Sequence, residues 1–315
     1  MHARMQRASP PGAPGADLGT GALRARVRPR WQGSRPRKPG PACAACLPLA
    51  AVAKKIGNAV FAGSAHTIRS GSSANTKPDQ DVNSLNLIGG EKGGVGKSVA
   101  ARVLAQYFID KDRPFTGYDT DRSHTSFTRF YGDYASPVIV DSYEGLDLVV
   151  SAFEQAPLDG RQQSVIVDLA AQTAAQLARW VKDSDLLSLL AQMGVSVNFW
   201  HLADAGKDSV DLLDRLINTY GAGPNYIVVK NEGRGSDFSQ LDESPALKKA
   251  LALGARVITL AQLHEGSMRK IDRQNASFWA AINNRSGPDA LGLLERQRVK
   301  TWLKATYEAF DSLPL

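Results

Sequence analysis

From residue 84 onward, short apolar runs alternate with stretches whose apolar residues recur every three or four positions. The runs cover 85–88, 113–119, 137–140, 164–168, 195–202, 226–229 and 256–260, and most are rich in β-branched residues, as strands are. Between them, Val99, Val103, Leu104, Tyr107 and Phe108 carry helical spacing, as do 148–153, 177–190, 210–217 and 247–253. A long final helix is expected over 291–313, with Leu294, Val299, Trp302, Leu303 and Phe310 on one face. Continuous apolar strands separated by amphipathic helices predict an α/β fold: a doubly wound, mostly parallel sheet with helices on both faces. About seven strands in residues 81–315 make one such domain, and its ligands belong at the carboxyl ends of the strands.

The first 80 residues read differently. They are rich in Pro, Gly, Ala, Ser and Arg without sustained periodicity, the composition of an arm that buries no core. An overextended start of translation is an equally plain reading, and an Arg-rich, acid-poor leader also matches a transit peptide. Residues 1–78 hold thirteen Lys/Arg against one acid, Asp17, while the remainder carries a net charge of −5. The overall +7 therefore belongs to the arm, and treating the whole chain as a basic nucleic-acid binder would be an averaging error. Cys43 and Cys46 have C-x-x-C spacing but no second pair or His pair to complete a zinc site. Residues 84–315 contain no cysteine, which is compatible with a reducing cytoplasm, the expected location. No run of eighteen apolar residues is present, so no membrane span is expected.

The candidate chemistry begins where the first run stops, at Gly89-Gly90-Glu91-Lys92-Gly93-Gly94-Val95-Gly96-Lys97-Ser98. Strand, glycine loop and helix form the geometry that holds phosphate: the glycines let backbone N–H groups turn inward, and the helix adds its positive end. Lys97 is placed for the terminal phosphates and the Ser98 hydroxyl for Mg²⁺. Asp168 closes the run Val165-Ile166-Val167, a position where a carboxylate holds Mg²⁺ or merely caps the next helix.

Glu91 stands where the strict phosphate-loop pattern has glycine, and Lys92 is an additional lysine at the front. The run Lys92-Gly93-Gly94-Val95-Gly96-Lys97-Ser98 resembles the deviant Walker A box of the ParA/MinD family of ATPases. Val99 departs from a second Thr often found there. The resemblance implies a P-loop ATPase that binds ATP and Mg²⁺ through 93–99, dimerises around two nucleotides and responds to an activating partner protein. It implies that Lys92 crosses the dimer interface to the partner's nucleotide. It also implies that Asp121 orients the attacking water while Asp119 sits near Mg²⁺, and that Asn231 reads the purine ring. Such ATPases position cargo: plasmids, chromosome regions, or conjugation and division machinery.

Other readings stay open beside this one. An ATP-dependent metabolic enzyme of the same superfamily, ligase- or synthetase-like, is the alternative. The branch that bridges an iron–sulfur cluster through cysteines is disfavoured by their absence from 84–315. The mixed charges of the last helix favour core packing over membrane anchoring. Residues 246–315 carry eleven basic against six acidic residues, a surface for non-specific DNA or simply a solvated face.

Overall fold

The computed structural model describes residues 83–154 and 161–315. The arm and its cysteine pair lie outside the described residues. Seven strands form one sheet: β1 (Asn83–Gly89), β2 (Phe115–Asp119), β3 (Ala135–Pro137), β4 (Ser164–Asp168), β5 (Val195–Ala203), β6 (Asn225–Asn231) and β7 (Arg256–Leu260). Their order is β3-β2-β4-β1-β5-β6-β7, and every pairing is parallel. The mostly parallel, doubly wound expectation is met in full.

Eleven helices cover the described residues: α1 (Lys97–Asp110), α2 (Ser126–Tyr131), α3 (Tyr143–Glu154), α4 (Ala174–Asp183), α5 (Leu186–Gln192) and α6 (Lys207–Tyr220). They continue with α7 (Ser239–Asp242), α8 (Pro245–Ala252), α9 (Glu265–Arg273), α10 (Phe278–Asn283) and α11 (Leu293–Phe310). Strand alternation sorts the core into two layers. Ile88, Ile166, Trp200 and Ile227 pack with α1, α2 and α9–α11; Leu87, Val167, Phe199 and Val228 pack with α3–α8. Each fully buried aliphatic side chain contributes about 1.5–3 kcal/mol of transfer free energy.

Several expected elements shift. The strand over 137–140 lies earlier, because its ladder with β2 ends at Pro137, opposite Asp119. The helix over 177–190 is two helices, broken where Asp185 adopts φ +44°. Helices α2, α9 and α10 have no counterpart in the apolar pattern; each is six to nine residues long, too short for a periodic signal. In α11, Val299, Trp302, Leu303 and Phe310 are buried as expected, whereas Leu294 is two-thirds exposed. Among the described residues no helix is long and apolar enough to cross a membrane.

Candidate functional site

The first turn of α1 explains the loop. Gly94 (φ +75°) and Gly96 (φ +101°) occupy backbone conformations that L side chains rarely adopt. At Gly96 a Cβ would also meet Asn231 Nδ2 at 2.2 Å, so the close approach of β6 demands glycine there. Gly96 is the N-cap of α1 and no side chain caps that end. Its first N–H groups are left for an anion, with the helix dipole behind them. Gly93 and Gly94 are exposed, Val95 is buried, and Val99 packs against the α1 core.

Lys97 is 8 % exposed, and its Nζ donates to the Lys92 carbonyl at 2.8 Å. Burial pulls its ammonium pKa down, against the attraction of Asp168 and Asp121. Asp168, at the end of β4, is buried and hydrogen-bonded to the Ser98 side chain. Its Oδ2 has no hydrogen-bond partner. Burial, with Asp119 and Asp121 nearby, pushes its carboxyl up to about 7 against the pull of Ser98 and Lys97. A buried, half-unpartnered carboxylate beside a hydroxyl fits Mg²⁺, which takes one or two protein ligands and completes its shell with phosphate and water. Ser98 and Asp168 are the residues that would hold such an ion; among the described residues no cluster of three or more His, Cys, Asp or Glu suited to a metal occurs.

Asp119, expected near Mg²⁺, lies in register with Asp168 on the neighbouring strand, and its carboxylate is engaged by the turn that follows it. Its Oδ2 accepts from the N–H groups of Phe127 (2.8 Å) and Thr128 (3.1 Å) and from the Thr128 hydroxyl (3.4 Å). Its Oδ1 accepts from the Asp121 N–H at 3.0 Å. These four bonds cap α2 and fix the turn after β2. Asp121 lies at the surface end of that turn. Burial alone would raise its pKa, but the N–H groups of Ser123 and His124 outweigh it and hold the carboxyl below its ordinary value.

Asn231, expected at the purine ring, is anchored on the loop. Its Nδ2 donates to the Val95 carbonyl at 2.7 Å and its Oδ1 accepts from Gly233 N–H at 3.0 Å, so the amide ties β6 to the loop. One Nδ2 hydrogen and one Oδ1 lone pair remain beyond these two bonds. Lys92 points out of the loop to Asp204 (2.9 Å) and Asp208 (3.3 Å), beyond the end of β5. The hydrogen bond to Asp204 is the main cause of its raised pKa.

Sequence reasoning missed Asp204 and Thr120. Asp204 accepts from the Ser209 hydroxyl at 2.7 Å and the Gly206 N–H at 3.1 Å while holding Lys92. Its signal was an acid directly after a strand, the same signal that selected Asp168. Thr120 Oγ1 donates to the Asp168 carbonyl at 3.1 Å and accepts from Ala170 N–H at 2.7 Å, clasping the ends of β2 and β4.

A parallel sheet, a glycine loop feeding α1, and a strand-end acid beside the loop's serine define the phosphate-loop nucleotide-binding fold. Within it, the chain resembles the ParA/MinD family in carrying both Lys92 and Lys97 on one loop. No protein-family model matches the chain. It is 22 % identical over 235 residues to Protein TraL of Escherichia coli, covering 70 % of this chain and 94 % of that protein. Similar solved structures include the MinD cell division protein of Aquifex aeolicus, with TM-score 0.42 and 13 % identity over 70 % of this chain and 95 % of that one. Cyanothece McdA in complex with ATP has TM-score 0.38 and 12 % identity over 72 % and 96 %.

Proposed function

We propose that the protein is an ATP-binding, slowly hydrolysing dimerisation switch of the ParA/MinD type, positioning or partitioning a cargo. The observation that carries this reading is the divergence of the two loop lysines. Lys97 is buried against its own loop and near Asp168, whereas Lys92 leaves the loop for Asp204 and Asp208. A lysine held at the mouth by carboxylates is available to exchange them for a phosphate of a second subunit.

On this reading the loop N–H groups and Lys97 neutralise the phosphates, and Ser98 and Asp168 hold Mg²⁺, which adds charge neutralisation at the γ-phosphate. Asp121, kept ionised by Ser123 and His124, orients the attacking water. Asp119 and Asn231 act by positioning: one fixes the turn that carries Asp121, the other fixes Val95 within the loop. An activating partner protein and non-specific DNA are the proposed companions, the latter through surface Lys/Arg and the basic arm.

The test is oligomeric state with and without Mg·ATP by analytical ultracentrifugation. Asp121→Ala should accumulate an ATP-bound dimer, because binding contacts remain while water is no longer positioned. Lys92→Ala should bind ATP and stay monomeric. Identical states for both variants, regardless of ATP, would remove the dimer switch and favour an ATP-dependent metabolic enzyme.

A further inference from the structure

On the sheet face opposite α1, helices α4 and α6 stand apart over β1 and β5 and leave a cavity of about 470 Å³. That volume lies within the range of roughly 300–1,000 Å³ typical of small-molecule sites. The floor is Gly89, which offers no side chain, and Phe199, stacked on Tyr220 with centroids 4.3 Å apart. Ala174 and Ala178 keep the α4 wall thin, and Leu216 forms the wall on α6.

The two ends of this cavity differ in charge. Glu91, the residue that breaks the glycine pattern of the phosphate loop, lines the end nearest the loop. Arg215 lies nine residues along α6 from its N-cap, Gly206, which sits beside Lys92. The helix rise puts that about 13 Å from the loop end. The Arg215 guanidinium, exposed at the cavity rim, and the half-buried Glu91 carboxylate have no ion-pair or hydrogen-bond partner among the described residues. An apolar chamber with one unpaired cation at its far end is suited to an apolar molecule carrying one negative charge.

We propose that this cavity is an effector site for a small amphipathic anion, with its apolar body over Gly89 and Phe199 and its acidic group on Arg215. Glu91 repels the acidic group from the loop end and so sets the ligand's direction. The site also touches the nucleotide machinery from behind. Leu169 follows Asp168 directly, and its Cδ1 lies 3.0 Å from where a Cβ on Gly89 would stand. A ligand displacing Leu169 bears on the backbone that carries Asp168, and by linkage ATP then changes the ligand's affinity as much as the ligand changes ATP's. Only this coupling rests on the nucleotide reading; the anion site itself does not.

The probe is 8-anilinonaphthalene-1-sulfonate, an apolar ring system with one sulfonate, titrated into the full-length protein. Saturable one-site fluorescence is expected. Ala178→Trp, which fills the chamber, should abolish it; where that variant folds poorly, the smaller filling of Leu216→Phe should still weaken it. Arg215→Ala should weaken it about fivefold, the loss expected for one charge-assisted contact. The uncharged analogue N-phenyl-1-naphthylamine should be indifferent to Arg215→Ala. Unchanged sulfonate binding in both cavity-filling variants, or equal loss of both probes in Arg215→Ala, would overturn the proposal. ATP binding, measured separately with a fluorescent nucleotide, keeps the two readings apart. Sulfonate binding without ATP binding would fail the nucleotide reading and leave this site standing.

Discussion

The ends of β2 and β4 are neighbours in the sheet, with Asp119 paired in register to Asp168. Both acids close a strand and both are 2 % exposed. Their surroundings are opposite. Asp119 accepts four hydrogen bonds from the turn and helix that follow it, whereas Asp168 keeps one oxygen unpartnered. A buried carboxylate that accepts four hydrogen bonds has its desolvation cost offset without a cation. One with an open oxygen carries an uncompensated desolvation cost that a cation relieves. Hydrogen-bond saturation, more than position at a strand end, separates the two.

The comparison breaks first at Asp119. Asp119→Ala would orphan the N–H groups of Phe127, Thr128 and Asp121 and release α2, which packs Phe127 against Gly117 of β2. A loss of about 2–4 kcal/mol is expected, read as a lower midpoint in chemical denaturation. A loss under about 0.5 kcal/mol, the scale of an ordinary surface change, would show that the cap carries little.

Asp168 should respond in the other direction. A carboxyl raised above its unfolded value favours the protonated folded state, so its destabilising effect is absent at low pH. It grows as pH rises from 3.8 through about 7. Asp168→Asn removes that charge while keeping the shape. Without nucleotide the variant should gain on the order of 2 kcal/mol at pH 8 and converge with wild type near pH 4. On the proposed reading, added Mg·ATP should raise the stability of wild type and not that of the variant. Thermal midpoints at two pH values, with and without Mg·ATP, check both signs.

Much of this site was legible because its signals are local. The loop from Gly89 to Ser98 carries its own geometry in its glycines, and the run 165–167 closing on Asp168 is a strand by composition alone. The order of the strands followed only as a class, since parallel topology depends on contacts distant in sequence. What escaped was partner choice. Nothing near Asp119 in sequence states that its Oδ2 turns to Phe127 and Thr128, eight and nine residues on. Asn231 was visible as an amide after a strand, but its bond to Val95 spans 136 residues. Asp204 reaches Lys92 across 112 residues and stayed hidden, because the turn 204–209 reads as a plain polar connection.

The smallest effect sharpens the comparison with a third strand-end acid. Asp204 follows β5 as Asp168 ends β4, yet it is engaged by Ser209, Lys92 and Gly206. Burial alone would raise its pKa; the Ser209 hydroxyl, Lys92 and the Gly206 N–H outweigh it and hold the value below 3.8. A depressed folded value means the stabilisation is fully present above pH 3.8 and disappears as pH falls through the folded value. Asp204→Asn should therefore lower Tm on the order of 2 °C at pH 7, with the gap closing in the acid limb. Adding Lys92→Ala to Asp204→Asn should cost little more, because the two side chains share one interaction. If the gap instead persists unchanged to the lowest pH at which the protein folds, the charge on Asp204 is not what holds Lys92. The lysine's outward position would then be a property of the loop backbone, set by Gly93 and Gly94.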